Sequence, residues 1–226
     1  MTTGSPETIA VVGGTGAEGG GLALRWAHAG HRVIIGSREA SRAAASAKDL
    51  CALLRRDGIE GDDSLSAASR ASVVVLAVPY TAQMATVRAL RPALEGKILI
   101  DVTVPLVPPK VSRVQLPNGG SSVLLVQQEL GEGVKVASAF QNVSAHKLKT
   151  LDQPIACDVL VCADAKDVRQ RVIQLASDAG LRGIDAGPLA NSAAAEAMTS
   201  VLIWINRTYK VPDAGIAITG LSATAD

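Results

Sequence analysis

The stretch Ala10–Gly21 reads AVVGGTGAEGGG and contains a G-x-G-x-x-G pattern formed by Gly14, Gly16 and Gly19. An apolar run at 8–12 precedes the pattern, an apolar helical segment follows at 22–27, and a second apolar run follows at 31–35. The order of strand, glycine turn, helix and strand is typical of a dinucleotide-binding unit, in which the helix N-terminus faces the pyrophosphate. The stretch therefore predicts a parallel α/β sheet with a nucleotide at its edge.

Each glycine of the stretch has a predicted task. Gly14 allows the tight turn, Gly16 lets the backbone approach the pyrophosphate, and Gly19 permits close packing of helix against strand. Gly20 and Gly21 fall inside the helix, where each costs roughly 1 kcal/mol relative to alanine, so we expect a close backbone contact at both.

Glu18 is an acidic residue inside the predicted phosphate site. A carboxylate beside a dianion is repelled, because like charges at short range disfavour each other. We therefore expect the Glu18 side chain to point to solvent.

A cation stands where many dinucleotide-binding proteins have an acidic residue. The second strand ends in Ser37-Arg38, and an arginine at this place accommodates the 2′-phosphate of NADP, whereas an acidic residue binds the 2′-hydroxyl of NAD. Arg42 follows four residues later, so a helix that starts near Glu39 would turn both guanidinium groups to the same anion. The pair predicts NADP as the nucleotide.

Composition excludes several other classes of protein. The chain has 226 residues, 48% hydrophobic content, a formal net charge of +1, and only two Trp, two Tyr and one Phe. Balanced charge and few aromatic rings argue against nucleic acid as a partner. The apolar runs are too short to span a bilayer, and the first residues show no signal-peptide pattern, so we expect a cytoplasmic protein with no membrane partner.

The cysteines and histidines do not form a metal-binding pattern. Cys51, Cys157 and Cys162 are odd in number and lack C-x-x-C spacing, which predicts neither a disulfide framework nor a zinc site. His28 and His31 flank the end of the first helix, where a cation favours the helix dipole. We predict no bound metal.

Alternating strands and helices continue along the chain as far as a proline-rich loop at 104–120. We predict a doubly wound, mostly parallel sheet of the Rossmann type, with an NADP-binding domain core at 1–120. A smaller C-terminal α/β part at 121–226 is expected to complete the sheet. The predicted strands are 8–12, 31–35, 72–78, 97–102, 134–140, 159–162 and 183–185, and the predicted helices are 22–30, 43–56, 81–90, 121–130, 165–179 and 190–209.

The loops that follow the other strands contain no obvious acid, base or nucleophile. Asn142 and Ser144 have no titratable partner in sequence, and we expect His146 and Lys147 to lie on the surface. Carbonyl or imine reduction calls for a positioned proton donor, whereas hydride exchange between two organic cofactors chiefly needs proximity and alignment. The site therefore favours a second redox cofactor as the substrate, with no catalytic side chain.

Five segments of the sequence together carry a family resemblance: VVGGTGAEGGGLALR at 11–25, GHRVIIGSR at 30–38, VP at 78–79, FQNVSA at 140–145 and DAGPL at 185–189. In these segments the chain resembles the NADP-dependent reductases of the 8-hydroxy-5-deazaflavin called coenzyme F(420). The resemblance implies a Rossmann domain with a smaller C-terminal part closing over a cleft, a homodimer or higher homo-oligomer, and reversible direct hydride transfer between NADP(H) and F(420).

The resemblance also assigns residues to two binding sites. The NADP site would comprise the glycine turn, the arginine pair and one segment after a strand. The deazaflavin site would take the loops near 103–105 and 140–144. The implied NADP residues are Gly14, Thr15, Gly16, Ala17, Glu18, Gly19, Ser37, Arg38, Arg42, Val78 and Pro79, and the implied deazaflavin residues are Pro105, Asn142, Val143, Ser144 and Leu189.

Two other functions stay open at the level of sequence. One is an NADPH-dependent reductase of another small substrate, such as a flavin, a carbonyl or an imine. The other is a non-catalytic sensor that binds NADP and reports the ratio of its reduced and oxidised forms to a partner.

Overall fold

The computed structural model describes residues 6–221 and has a six-stranded, wholly parallel sheet with the strand order β3-β2-β1-β4-β5-β6. The predicted Rossmann-type α/β fold is confirmed. The strands are β1 (Thr8–Val12), β2 (Arg32–Ser37), β3 (Ile59–Asp63), β4 (Val73–Leu76), β5 (Ile98–Asp101), β6 (Lys135–Ser138), β7 (Asp158–Val161) and β8 (Arg182–Asp185). The α-helices are α1 (Ala17–Ala29), α2 (Ala40–Leu54), α3 (Ser64–Arg70), α4 (Tyr80–Leu94), α5 (Ser122–Leu130), α6 (Ala145–Leu148), α7 (Lys166–Asp178) and α8 (Ser192–Tyr209), with a 3₁₀ helix at Leu189–Asn191.

The strand order reverses between β1 and β4. After β1 the chain adds β2 and β3 on one side, and it then returns to place β4, β5 and β6 on the other. In open α/β sheets the crevice for a ligand lies beyond the carboxyl ends of the strands at such a reversal. The glycine turn follows β1 at this place, which puts the predicted nucleotide at the reversal.

Side chains alternate between the two faces of the sheet and form two hydrophobic cores. In β1, Ile9 and Val11 belong to the core that includes Trp26, whereas Ala10 and Val12 belong to the core on the opposite face. Both faces of a parallel sheet need a covering layer, because successive side chains point in opposite directions. This explains why the strands read as continuous apolar runs.

The sequence analysis missed β3 and α3. β3 pairs in parallel with β2 as an edge strand, and its sequence IEGDD lacks the apolar alternation of a half-buried strand. Asp63 ends this strand and caps α3, accepting hydrogen bonds from the amides of Leu65 and Ser66, each at 3.0 Å. Gly61 lies against the backbone of Ala43 in α2, so a side chain at this position would collide with the helix.

The C-terminal residues pack into the same core as the sheet. β6 completes the sheet, and an antiparallel bridge between Ser138 and Cys162 connects it to the two-stranded parallel sheet of β7 and β8. The indole of Trp26 in α1 donates a 2.8 Å hydrogen bond to the carbonyl of Leu175. It also packs edge-on against the ring of Phe140, with 5.8 Å between the ring centroids. Within residues 6–221 no helix is long and apolar enough to cross a membrane.

Arg25 ties α1 to the C-terminal part through four carbonyl groups. The residue is 6% exposed, and its guanidinium donates to the carbonyls of Leu148 at 2.8 Å, Thr150 at 2.9 Å, Ala179 at 3.0 Å and Lys147 at 3.1 Å. Burial lowers the pKa of this guanidinium. One buried cation thus fixes the segment after β6 and the end of α7 against the first helix.

Candidate functional site

The turn after β1 depends on Gly13 rather than on Gly14. Gly13 has a φ of +87°, which L side chains rarely adopt, and its amide donates to the carbonyl of Gly36 at 2.9 Å. Gly14 has no positive φ, but a Cβ there would lie 2.9 Å from the carbonyl oxygen of Val11. The conformational task assigned to Gly14 was therefore wrong: Gly14 gives space, and Gly13 makes the turn.

Gly19 fits its predicted packing task, and the surroundings of Gly16 are open. A Cβ at Gly19 would lie 2.8 Å from the carbonyl oxygen of Gly13, so only glycine lets α1 approach the turn this closely. Gly16 precedes α1, is exposed, and would meet only one atom, the Gly13 oxygen at 3.3 Å. The backbone at Gly16 is thus open to a ligand approaching the helix N-terminus.

Gly20 and Gly21 are required by two different neighbours. A Cβ at Gly20 would lie 3.0 Å from the backbone oxygen of Gly14, which confirms the expected backbone contact. Gly21 instead faces the side chain of Leu148 in α6. The second glycine therefore serves the packing of the C-terminal part, for which the motif gave no signal.

The structure brings Ser37, Arg38 and Arg42 to one cavity of about 490 Å³, which we call the arginine pocket. Arg42 lies in the first turn of α2, as the four-residue spacing predicted. Both arginines are exposed, and neither guanidinium bonds to another part of residues 6–221. The other lining residues are Val12, Gly13, Thr15, Gly16, Ser64, Ala77, Val78, Pro79, Thr81, Ala82 and Thr86.

A second cavity of about 420 Å³ adjoins the arginine pocket, and we call it the acid pocket after Glu18, which lines it. The two cavities share Gly16, Ala77, Val78 and Pro79, so they form one cleft across the reversal of strand order. The remaining lining residues of the acid pocket are Ala17, Gly19, Tyr80, Val102, Thr103, Val104, Leu106, Gln141, Val143 and Thr199.

Glu18 does not point to solvent, contrary to the sequence-based expectation. Its side chain is half-buried in the first turn of α1 and lines the acid pocket. Burial, followed by the nearby charge of Asp101, raises the pKa of Glu18 from 4.5 to about 8. The cleft therefore holds a carboxyl group that carries a proton at neutral pH.

Asp101 lies fully buried at the end of β5, next to this cleft. Its carboxylate accepts hydrogen bonds from the amide of Thr103 at 2.8 Å and from the side-chain amide of Gln83 at 2.7 Å. Burial raises the pKa of Asp101 to about 6, and the hydrogen bonds oppose that rise. Glu196 of α8, also buried, adds a further negative charge.

The predicted deazaflavin residues are placed differently from one another. Val143 lines the acid pocket, whereas Asn142 is buried and donates to the carbonyl of Asp158 at 2.7 Å. Pro105 is buried in its loop, and Leu189 is completely buried in the core that includes Leu76 and Val123. Ser144 is half-buried at the start of α6 and makes no side-chain capping bond, and His146 is exposed as expected.

Thr103 and Gln141 line the acid pocket from loops that the sequence analysis assigned to the site, whereas Thr199 of α8 was missed. Gln141 donates to the backbone carbonyl of Asp101 at 2.7 Å, and its buried side-chain oxygen has no partner among residues 6–221. Thr199 of α8 donates to the carbonyl of Gln141, also at 2.7 Å, and Thr103 lies beside them. The F-Q-N segment and the final helix carried no pattern that could have indicated this contact.

No group of three or more potential metal ligands occurs in the described range of 6–221. His28 lies in the last turn of α1, as predicted, but the role predicted for His31 needs correction. His31 is buried and bridges the amide of Glu7, which donates to Nδ1 at 3.2 Å, and the carboxylate of Asp178, 3.0 Å from Nε2. The ring therefore connects the residue before β1 to α7 and does not cap α1.

Comparison with known proteins places the chain in a family. Residues 8–105 match the model of the coenzyme F(420)-dependent NADP oxidoreductases. The chain is 42% identical over 221 residues to the F(420)-dependent NADP reductase of Methanocaldococcus jannaschii, covering 94% of this chain and 98% of that one. The chain belongs to this family. The F(420)-dependent NADP reductase of Methanothermobacter marburgensis is 40% identical over 220 residues, with the same coverage.

A solved structure supports the fold of this family member. It is a putative F(420)-dependent NADP reductase from an Arthrobacter species, similar with a TM-score of 0.78 over 94% of this chain and 100% of that chain. At 24% identity the likeness concerns the fold. The fold of the chain thus agrees with a known architecture.

Proposed function

We propose that this protein is an NADP-dependent oxidoreductase that transfers a hydride reversibly between NADP(H) and coenzyme F(420). The observation that carries the proposal is the division of one cleft into two joined pockets of unlike chemistry, in a chain of this family. One pocket offers cations for a phosphate group, and the other offers apolar and neutral polar groups for flat rings. Bound together, the two substrates supply nicotinamide C4 and deazaflavin C5, between which the hydride moves.

The arginine pocket fits the adenosine end of NADP. Arg38 and Arg42 have no partner among residues 6–221, so their donors are free for a 2′-phosphate, and Ser37 lies beside them. Gly16 leaves the N-terminus of α1 open to the pyrophosphate, and anions are favoured at this end of a helix. We assign to NADP the residues Gly14, Thr15, Gly16, Ala17, Glu18, Gly19, Ser37, Arg38, Arg42, Val78 and Pro79.

The acid pocket fits the two rings that exchange the hydride. Val104, Leu106 and Val143 supply apolar surface, and Thr103 and Gln141 supply polar atoms that can fix the orientation of a ring. We assign direct contact with the deazaflavin to Val143, and an indirect, shape-giving role to Pro105, Asn142, Ser144 and Leu189. The protein would accelerate the reaction by alignment and by exclusion of water.

Mixing the purified protein with NADPH and oxidised F(420) tests this function. We expect the visible deazaflavin band to bleach as NADPH is consumed, with one NADPH oxidised for each deazaflavin reduced. NADPH binding without bleaching would refute the proposal and would favour the sensor. Bleaching of a flavin or reduction of an imine, with F(420) left unchanged, would favour the other reductase.

We further propose a homodimer or higher homo-oligomer in the cytoplasm. Trp204 and Val201 on α8 are 61% and 42% exposed, and a large aromatic surface of this kind supports an interface. The three cysteines are free, which supports a reducing compartment. Light scattering should give a mass above that of one chain, and Trp204→Glu should reduce it.

A further inference from the structure

Glu18 faces the acid pocket in an unusual state for a carboxyl group. Among residues 6–221 its carboxyl group has no hydrogen-bond or ion-pair partner, although the side chain is half-buried. A carboxyl group withdrawn from water without a partner favours its neutral form, because desolvation penalises the charge. Glu18 is therefore an acid whose proton remains available to a ligand in the cleft.

Among residues 6–221 the charged side chain that acts most strongly on Glu18 is an acid. Asp101 faces it from β5, and Glu196 lies behind Asp101 on α8. Tyr80, at the start of α4, is the remaining titratable residue that lines the pocket. In the described part of the chain no lysine, arginine or histidine lines it, so no protein cation stabilises the ionised form of Glu18.

The reaction in the proposed function needs a proton as well as a hydride. Reduction of a deazaflavin by NADPH adds a hydride to a ring carbon and a proton to a ring nitrogen, and it leaves a positive charge on the nicotinamide. A group that loses a proton in the same cleft would meet both needs. It would supply the proton, and the negative charge left behind would face the new cation.

We propose that Glu18 supplies this proton during deazaflavin reduction and takes it back during NADP⁺ reduction, an inference that rests on the proposed function. In the first direction the nicotinamide C–H bond and the Glu18 O–H bond break, and a C–H bond and an N–H bond form on the deazaflavin. The nicotinamide loses two electrons and the deazaflavin gains two. The positive charge of NADP⁺ balances the negative charge of the Glu18 carboxylate.

This role has a consequence for nucleotide binding in the absence of any deazaflavin. NADP⁺ places a cation near Glu18 and lowers its pKa, whereas NADPH places a neutral ring there. If NADP⁺ lowers the pKa of Glu18 by one unit, the affinity for NADP⁺ relative to NADPH rises about tenfold as the pH passes through the titration. Both nucleotides carry the 2′-phosphate, so its titration changes both affinities equally and leaves their ratio unchanged.

The binding experiment measures this ratio between pH 6 and pH 10 for the wild type, Glu18→Gln and the control Glu132→Gln. Glu132 is an exposed acid after α5, outside the two pockets. We expect the ratio to rise about tenfold for the wild type and the control, and to stay constant for Glu18→Gln. A ratio that is constant with pH in the wild type, or that rises equally in Glu18→Gln, would overturn the proposal.

The second measurement is kcat for deazaflavin reduction as a function of pH. The wild type should lose rate above pH 8, because the pKa of Glu18 is about 8 and the proton is then absent. Glu18→Gln should be about 100-fold slower at pH 7, with no loss above pH 8, and Glu18→Asp should restore the pH dependence. Thermal unfolding of each variant confirms that it is folded.

The outcomes separate this proposal from the function on which it rests. No deazaflavin reduction by the wild type at any pH would overturn the proposed function. Reduction by the wild type, with Glu18→Gln equally fast and showing the same pH profile, would overturn the role of Glu18 and leave the function standing.

Discussion

Removing the two arginines of the arginine pocket should convert an NADP-selective protein into one that barely distinguishes NADP from NAD. Arg38 and Arg42 line the pocket and have no partner in the described part of the chain, so their substitution should cost binding energy and little stability. A charge-assisted hydrogen bond contributes about 1.5 to 3 kcal/mol, and the exposure of both side chains favours the lower value. At about 1.4 kcal/mol for each factor of ten, each single alanine variant should bind NADPH about tenfold more weakly.

The double variant Arg38→Ala/Arg42→Ala should lose about 100-fold, if the two contributions add. Its affinity for NADH should stay within about twofold of the wild-type value, because NADH lacks the 2′-phosphate that these groups bind. Fluorescence titrations with NADPH and NADH give both constants. The difference in NADPH affinity between the wild type and the double variant should shrink at high salt, since exposed charges are screened.

Lys48→Ala is the matched control, because it removes an exposed positive charge from the same helix without touching the pocket. It should leave the preference for NADPH unchanged. If the double variant kept its full preference for NADPH, or if NADPH and NADH weakened equally, the assignment of these arginines to the 2′-phosphate would be refuted.

Three further predictions concern the scaffold of the site. Gly19→Ala should destabilise the protein by about 1 to 3 kcal/mol and weaken NADPH binding, because its Cβ would press on the backbone of Gly13; equal stability in chemical unfolding would contradict this. Arg25→Ala should cost on the order of 4 kcal/mol, because four carbonyls lose the guanidinium donor and, among residues 6–221, only that of Lys147 keeps a backbone donor, the amide of Thr150. Arg25→Lys should recover part of the loss in the same assay. Folding raises the pKa values of Asp101 and Glu18 to about 6 and about 8. The native state therefore holds both protons more tightly than the unfolded state does. The stabilisation that this gives is complete below pH 4 and is lost as the pH rises through 6 and 8. The free energy of unfolding of the wild type should therefore decline between pH 6 and pH 8, and Glu18→Gln should remove up to about 2 kcal/mol of that decline. An equal decline in the variant would contradict the raised pKa of Glu18.

The sheet was predictable because its inner strands are buried on both faces. Runs such as 8–12 and 72–78 are apolar and β-branched, and this composition indicates a parallel strand wherever glycine turns and helices separate the runs. β3 lies at the edge, where one side of the strand has no partner and charged residues are tolerated. Its sequence IEGDD therefore looks like a loop, and only pairing with β2 makes it a strand.

The two halves of the site differed in predictability for a similar reason. The NADP half depends on local backbone, and the spacing of Gly16, Gly19, Arg38 and Arg42 within one βαβ unit carries its geometry. The other half depends on contacts between distant segments, such as Thr199 with Gln141. No local pattern encodes such a contact, so sequence named neighbours of this pocket more often than its lining.

Glu18 shows how burial can reverse an argument based on charge. Repulsion by a phosphate predicted a carboxylate in water, but the repulsion applies only to the ionised form. The structure places the side chain in the cleft near Asp101, and burial keeps the carboxyl group protonated. Glu18 avoids the free-energy cost of a buried anion by taking up a proton, and its side chain does not need to turn to solvent.

The central claim is that one cleft holds both substrates and passes the hydride directly between them. NADPH deuterated at C4, in each of its two stereochemical positions, tests this claim with oxidised F(420) in ordinary water. We predict that one of the two labelled forms transfers its deuterium to C5 of the reduced deazaflavin, as measured by mass spectrometry after a single turnover. Reduced deazaflavin that contains no deuterium from either form would contradict direct transfer.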